Sequence, residues 1–306
     1  MPIVNTGVPI TSELNQRYLQ QIAEKYPFTK LEEVGVTDFQ RPIWMLTIGT
    51  GKRHVLFTAA HHANEWITAL VLLKYAEDLA EAVQKGGILF GQRAKEMADA
   101  VMIHIIPLVN PDGVDLVTGA MTPESAQYLL ARELAQKYPE IPFPEGWKAN
   151  LLGVDLNLNY PAGWLQAREI KFSQGYTSPG PRDYVGRAPL DQMETRALAN
   201  LTEKLNPDLV LAYHSQGKEI YWQFRDYEVP GAKELGEVMA RVSGYTLADT
   251  PYASSFAGYK DWFIQNFRRP GYTVEVGSGE NPLPLSQFPE IYRDNVPLLN
   301  IAALGL

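Results

Sequence analysis

The chain of 306 residues contains no cysteine. That excludes a disulfide framework and any thiolate metal site, so a metal bound here must be held by histidine and carboxylate. Positive charge is in deficit: 27 Lys and Arg stand against 35 Asp and Glu, a formal net charge of −8. Such a balance argues against nucleic acid or an anionic membrane as the main partner. No apolar run approaches the ~20 residues of a membrane span. No Ser/Gly linker, charge block, internal repeat or low-complexity segment divides the chain. The first residues, Met1-Pro2-Ile3-Val4-Asn5-Thr6-Gly7, lack the basic and apolar regions of a secretory signal. We therefore expect one domain over residues 1–306, cytoplasmic or released by lysis, with a leader removed before residue 1 left open. What is present is ordinary globular composition, 45% hydrophobic and 20% charged, in a length ample for a sizeable core.

Apolar runs alternate with amphipathic stretches. Pro42 to Leu46, His54 to Thr58, Val101 to Val109, Leu209 to Tyr213 and Tyr272 to Val276 read as strands. Helical spacing marks Ser12–Lys25, Glu65–Val83, Ala126–Lys137, Asp191–Leu205, Gly231–Ser243 and Tyr259–Phe267. The alternation predicts an α/β fold, a mixed or parallel sheet covered on both faces. Sites in such sheets form at the carboxyl ends of strands, and there the polar residues gather. His61, His62 and Glu65 follow one strand, Asn110 and Asp112 another, and His214 and Ser215 a third; Glu275 lies near the end of a fourth. Asn110-Pro111-Asp112-Gly113 reads as a turn. Residues 115–150 and 160–190 read as long rim segments of the kind that are functional or mobile.

Only five histidines occur, and His62 carries the strongest signal. His62 and Glu65, in Ala60-His61-His62-Ala63-Asn64-Glu65-Trp66, sit at a strand-to-helix turn. A His and a Glu so placed supply two of the three protein ligands of a catalytic zinc. The alternative is a solvated pair at a helix start, where the dipole favours Glu. His214, in Ala212-Tyr213-His214-Ser215, would complete a His2Glu set with an open position for water. Zinc held this way lowers the pKa of water toward ~7 and polarises a carbonyl. A carboxylate must then take the water proton and pass it to the leaving amine. Glu275, flanked by Val274 and Val276, is the candidate, because a carboxylate in an apolar strand is costly unless paired or functional. The alternative is an edge-strand Glu facing solvent. Asp155 is placed either to hold a ligand imidazole from behind or to cap a turn.

The ordered blocks His62-Ala63-Asn64-Glu65-Trp66, Asn110-Pro111-Asp112-Gly113, Gly153-Val154-Asp155-Leu156-Asn157, His214-Ser215-Gln216-Gly217 and Thr273-Val274-Glu275-Val276 resemble the zinc carboxypeptidase family, the carboxypeptidase A-like peptidases, over roughly residues 40–280. The resemblance implies a single domain with a central mixed eight-stranded sheet and helices on both faces. It implies one zinc ion held by His62, Glu65 and His214, Glu275 as general base and acid, and Asp155 orienting the His62 ring. Tyr184-Val185-Gly186-Arg187-Ala188-Pro189, then Glu194, is similar to the stretch before the third ligand in bacterial members.

The departures narrow the substrate. Digestive members have Asn-Arg where this chain has Asn157-Leu158, and Leu158 cannot grip a terminal carboxylate as that Arg does. Asn157 remains a substrate-binding candidate. The Arg that stabilises the oxyanion falls at Lys148, which either offers a point charge or is a surface lysine. The tyrosine that closes over substrate is absent; the pattern puts Ile264 at its place, with Tyr252 and Tyr259 nearby. With Asn159-Tyr160-Pro161-Ala162-Gly163-Trp164, these changes resemble the bacterial branch of γ-D-glutamyl-L-diamino acid endopeptidases. That branch implies, as partner, a peptidoglycan stem peptide or muropeptide cut between γ-D-Glu and diaminopimelate or lysine. Arg168, Arg182 and Arg187 would hold its carboxylates or lie solvated at the surface. Three other readings stay open: a zinc carboxypeptidase on other peptides, an amidohydrolase of the succinylglutamate desuccinylase or aspartoacylase kind, and a module that binds wall peptide without cutting it.

Overall fold

A near-continuous apolar run such as Leu209–Ala212 belongs in the middle of a covered sheet. In the computed structural model, which describes residues 2–305, the strand Leu209–Ser215 is buried throughout. Met1 and Leu306, the outer residues of the expected 1–306 unit, lie outside the described residues. The strands are β1 (Lys30–Val36), β2 (Pro42–Ile48), β3 (Arg53–Ala59), β4 (Ile88–Leu89), β5 (Gln92–Arg93), β6 (Val101–Ile106), β7 (Leu209–Ser215), β8 (Glu219–Tyr221), β9 (Thr246–Ala248) and β10 (Gly271–Val276). Eight form one sheet in the order β1-β2-β6-β3-β7-β10-β8-β9, while β4 and β5 make a separate hairpin. The central strands β6, β3, β7 and β10 are parallel to their neighbours in that group. The pairs β1–β2, β2–β6 and β10–β8 are antiparallel. The sheet is therefore mixed and eight-stranded, as expected.

The helices are α1 (Ser12–Lys25), α2 (Ile67–Lys85), α3 (Ala94–Ala100), α4 (Pro111–Val117), α5 (Ala126–Ala135), α6 (Trp164–Ser173), α7 (Met193–Leu205), α8 (Ala232–Ser243), α9 (Tyr259–Phe267) and α10 (Phe288–Leu304). Successive side chains on a strand point to opposite faces, and β3 shows it. Val55, Phe57 and Ala59 join an apolar layer with Leu19 and Ile22 of α1, Leu70 of α2, Met239 of α8 and Leu299 of α10. Leu56 joins Trp164 of α6, Leu198 of α7 and Trp262 of α9 on the other side. A third, smaller cluster, including Ala63, Leu116, Ala131 and Trp147, packs beneath the rim. No helix among the described residues is long and apolar enough to cross a membrane.

The structure departs from the sequence reading in the connections. Asn110 does not open a simple turn: it caps α4, accepting from the Gly113 N–H at 3.1 Å, with Pro111 in the first helical turn. Of the two rim segments, 115–150 carries α5, which matches the expected Ala126–Lys137 to within two residues, and 160–190 carries α6, which the spacing did not mark. Unforeseen too are α10, which carries Pro297 inside, and the short or half-exposed strands β1, β8 and β9.

Candidate metal and active site

The parallel arrangement of β6, β3, β7 and β10 brings their carboxyl ends to one side. Beyond β3 the chain turns through Ala60, at φ 50, into a 3-10 turn, Ala63–Glu65. Thr68 locks that turn: its hydroxyl donates to the Glu65 carbonyl at 2.7 Å and accepts from the Ala60 N–H at 3.0 Å. His62 and Glu65 are thereby turned to the same side and meet His214 from the end of β7. His62 Nδ1 lies 2.9 Å from Glu65 Oε1, His214 Nδ1 lies 2.9 Å from Glu65 Oε2, and the two Nδ1 atoms are 3.0 Å apart. All three residues are buried.

The cluster fits a divalent cation. His62 Nε2 lies 3.0 Å from Asp155 Oδ1, and a carboxylate accepts only, so the ring proton sits on Nε2. The Nδ1 lone pair then faces a second imidazole nitrogen and a carboxylate, with too few protons to satisfy them. Two nitrogens and a carboxylate oxygen converging at this spacing make the donor set of a three-ligand zinc site. Asp155 is fixed in turn: Oδ1 accepts from the Asn157 N–H at 3.1 Å and Oδ2 from the Asp183 N–H at 3.3 Å. Burial would raise the Asp155 carboxyl, but His62 and Lys148 hold it well below the usual carboxylate range. Burial likewise opposes ionisation of Glu65, yet His62 and His214 keep it anionic.

Glu275 of β10 sits in register with His214 on one side and with Glu219 of β8 on the other. It is half-buried, not solvated at an edge. Burial, then the Glu65 carboxylate, pushes its pKa up to about 8; a cation at the cluster acts in the opposite sense. Lys148 comes from the segment before Asp155. Ala63 donates its N–H to the Lys148 carbonyl at 3.0 Å, and Asn110 Nδ2 donates to the carbonyls of His61 and Ala149 at 3.1 and 3.0 Å. That clamp accounts for the Asn110 to Gly113 motif: a Cβ on Gly113 would stand 2.8 Å from the Ala149 carbonyl. It leaves Lys148 Nζ at 3.8 Å from Glu65 Oε1.

Two connected spaces meet here. A trough of about 740 Å³ runs past Glu65, Lys148, Arg182 and Gln216, and a recess of about 170 Å³ runs past Asp155, Asn157, Leu158 and Lys260. Lys148, Tyr221, Ser254 and Glu275 line both, so Glu275 belongs to the wall that the two spaces share. Arg182 reaches the trough, its Nε donating to Asp183 Oδ2 at 2.6 Å. Asn157 lines the recess, and its Oδ1 accepts from the Tyr259 N–H at 3.0 Å.

Other sequence candidates are placed elsewhere. Arg168 lies on α6 with its guanidinium 4.8 Å from the Phe172 ring centre and 6.0 Å from that of Trp164; it lines neither space. Arg187 is exposed and fixed through its backbone N–H to Asp191 at 2.8 Å, likewise outside the cleft. Ile264 is buried in the apolar layer under α9, so it cannot be the position facing substrate. Tyr252 is 73% exposed on a turn beside the recess, its ring edge-on to Phe256. His61 stacks on His214 with centroids 5.5 Å apart and is not among the three converging groups. Sequence reasoning missed Tyr221, whose hydroxyl donates to Glu219 Oε2 at 2.6 Å, and Lys260, which donates to the Gln223 carbonyl at 2.7 Å. Two-residue alternation from Glu275 across β8 is the signal that could have found Tyr221.

Comparisons with known proteins agree with this geometry. The family model described as zinc carboxypeptidase matches residues 15–298. The chain is 40% identical over 276 residues to γ-D-glutamyl-L-diamino acid endopeptidase 1 of Lysinibacillus sphaericus, covering 90% of this chain and 67% of that one. The structure of thrombin-activatable fibrinolysis inhibitor superimposes with a TM-score of 0.77 at 16% identity, over 99% of this chain and 76% of the other. The murein-tripeptide amidase of Escherichia coli O157 superimposes with a TM-score of 0.56 at 20% identity, over 89% and 91%. At such identities the two structures show a shared fold.

Proposed function

This chain belongs to the zinc carboxypeptidase family, and from that premise we propose that it is a zinc metallopeptidase of peptidoglycan stem peptides and muropeptides, cutting between γ-D-Glu and diaminopimelate or lysine. One zinc ion is its cofactor. The observation that carries the hydrolytic reading is the convergence of His62, Glu65 and His214 beside a half-buried Glu275. The choice of bond is supported by the 40% identity to an enzyme named for that activity. Leu158 in the recess supports it too, since an apolar side chain cannot make the bidentate contact with a free terminal carboxylate that an Arg makes at this position.

Zinc, when bound, activates water and polarises the scissile carbonyl. His62, Glu65 and His214 hold it, and Asp155 keeps the His62 proton on Nε2. A Glu275 carboxylate oxygen takes the proton of the attacking water and returns it to the amine of the departing diamino acid. Lys148 Nζ, on the same side as Glu65, sets a positive charge beside the oxygen that becomes negative. Lys148 and Arg182, both in the trough, are the cations available to the D-Glu α-carboxylate.

The test is mass spectrometry of the products from L-Ala-γ-D-Glu-meso-diaminopimelate, with zinc and with a chelator. Zinc-dependent release of L-Ala-D-Glu is expected. An intact peptide after incubation with zinc-loaded protein would overturn the reading.

A further inference from the structure

The mechanism leaves one buried acid unused. Glu194, in the first turn of α7, is 2% exposed and enters no ion pair among the described residues. Burial pushes its pKa up to about 7. A carboxyl taken from water without a cation is costly unless hydrogen bonds offset the loss. The side-chain donor that meets it is Asn150, itself buried. Asn150 Nδ2 has two protons; it lies 3.3 Å from Glu194 Oε2, 3.4 Å from Glu194 Oε1 and 2.9 Å from Gln192 Oε1. Gln192 is oriented in turn, its Nε2 donating to Asp191 Oδ1 at 2.8 Å. On the other side, Asn150 Oδ1 accepts from the Val154 N–H at 3.0 Å. The Asn150 N–H donates to the Val154 carbonyl at 2.9 Å, and the Asn150 carbonyl accepts from the Gly153 N–H at 3.0 Å and from Trp147 Nε1 at 3.1 Å.

These bonds close residues 150–154 into a tight loop, with Lys148 just before it and Asp155 immediately after. The Asn150 amide is the part of the loop that could be reversed. Turned over, it would set its NH2 against the Val154 N–H and its oxygen against two acceptors. Glu194 and Gln192 exclude that state. We propose that Glu194 is a positioning residue: it fixes the Asn150 amide, and the loop which that amide closes holds Lys148 Nζ beside Glu65 and the Asp155 carboxylate behind the His62 ring. A carboxyl keeps an acceptor oxygen whether or not it is protonated, so the lock acts through the acceptor and does not need the charge. The inference rests on the proposed hydrolysis, in which Lys148 steadies the oxyanion and Asp155 orients a zinc ligand. It adds to that site a residue that touches neither the substrate nor the three ligands.

The experiment compares Glu194→Met, which keeps the length of the side chain without an acceptor, with Glu194→Gln, which keeps both. On L-Ala-γ-D-Glu-meso-diaminopimelate at saturating zinc, Glu194→Met is expected to lower kcat about 30-fold with KM within about twofold, less than the outright loss of an oxyanion donor costs. Its zinc affinity, read by competition with a chelator, should weaken about tenfold. Glu194→Gln is expected to hold both within about threefold of the parent, since its amide oxygen still accepts from Asn150. In a Lys148→Ala background at saturating zinc, Glu194→Met should lower kcat by a further factor of about two at most, because the two residues act through one path. A merely structural loss would multiply there instead. Parent-level kcat and zinc affinity in Glu194→Met would overturn the proposal, as would a second loss of about 30-fold beside Lys148→Ala. If Glu194→Met does not fold, Asn150→Ser carries the test: it removes the amide through which Glu194 acts, and parent-level values there overturn the proposal equally. If the parent cuts no such peptide, the proposed bond falls, and the zinc affinities alone decide for or against Glu194.

Discussion

Two pairs of histidines lie on this sheet. His62 and His214 follow or end β3 and β7, with ring centroids 4.6 Å apart. His54 and His104 lie on β3 and β6 toward the other end, 5.3 Å apart. In the second pair no nitrogen of His104 faces a carboxylate: Nδ1 is 2.9 Å from Thr47 Oγ1 and Nε2 is 3.1 Å from His54 Nδ1. Protons can alternate along that chain and satisfy it. In the first pair Asp155 has already claimed the His62 Nε2 proton, and the facing lone pairs meet a carboxylate. Among the described residues, this is the one group of three His, Asp or Glu whose ligand atoms converge within 4.8 Å. Proximity of two imidazoles is thus not what makes a metal site. A locked tautomer and a third acceptor with no donor do.

The comparison breaks hardest at the ligands. His62→Ala should take zinc from about one per chain to near zero, with kcat/KM falling to background; metal analysis of the purified variant checks it. Glu275→Gln should separate chemistry from metal binding. Zinc stays at parent level while kcat drops about 10³-fold, within the range for loss of a positioned base. Full activity in this variant would remove Glu275 from the role. Asp155→Asn is expected to act through the ring it orients. Zinc affinity should weaken by about 10–100-fold, read by competition with a chelator, and added zinc should restore most of the activity. An unchanged affinity would mean that the His62 tautomer is set elsewhere.

The central site was legible because its residues carry chemistry at strand ends, where a parallel sheet must gather them. His62, Glu65, His214 and Glu275 each follow or close an apolar run; the alternation predicted a covered parallel or mixed sheet, and the family resemblance supplied its eight strands, while the order that sets β3, β7 and β10 side by side is seen only in the structure. The fold was legible for the same reason along the buried strands. The rim was not. Asn110-Pro111-Asp112-Gly113 has the composition of a turn, and only the partners of Asn110, the carbonyls of His61 and Ala149, show that it clamps the Lys148 segment. Arg168 and Arg182 look alike in sequence. One packs on aromatic rings of its own helix, while the other is drawn to the cleft by Asp183.

The smallest expected effect sharpens the comparison from the side of the satisfied pair. Burial, then the charge of His54, lowers the His104 pKa to about 4, against ~6.5 in an unfolded chain. Between those values the unfolded state binds a proton that the folded state refuses. Stability from this residue is therefore fully present above pH 6.5 and is lost as pH falls toward 4. From pH 7.5 to pH 5 the loss amounts to about 2 kcal/mol. His104→Gln removes the titrating group. At pH 7.5 it should cost about 1 kcal/mol for imperfect hydrogen bonds to Thr47 and His54. By pH 5 the deficit should close or reverse, because only the parent pays the acid penalty. Urea unfolding of the two metal-free proteins at both pH values reads the difference, in which the shared titration of His62 and His214 cancels. Zinc content and kcat/KM at pH 7.5 should not change. A stability difference independent of pH would show that His104 is not held neutral by its burial, and a loss of zinc would show that the two histidine pairs are coupled through β3.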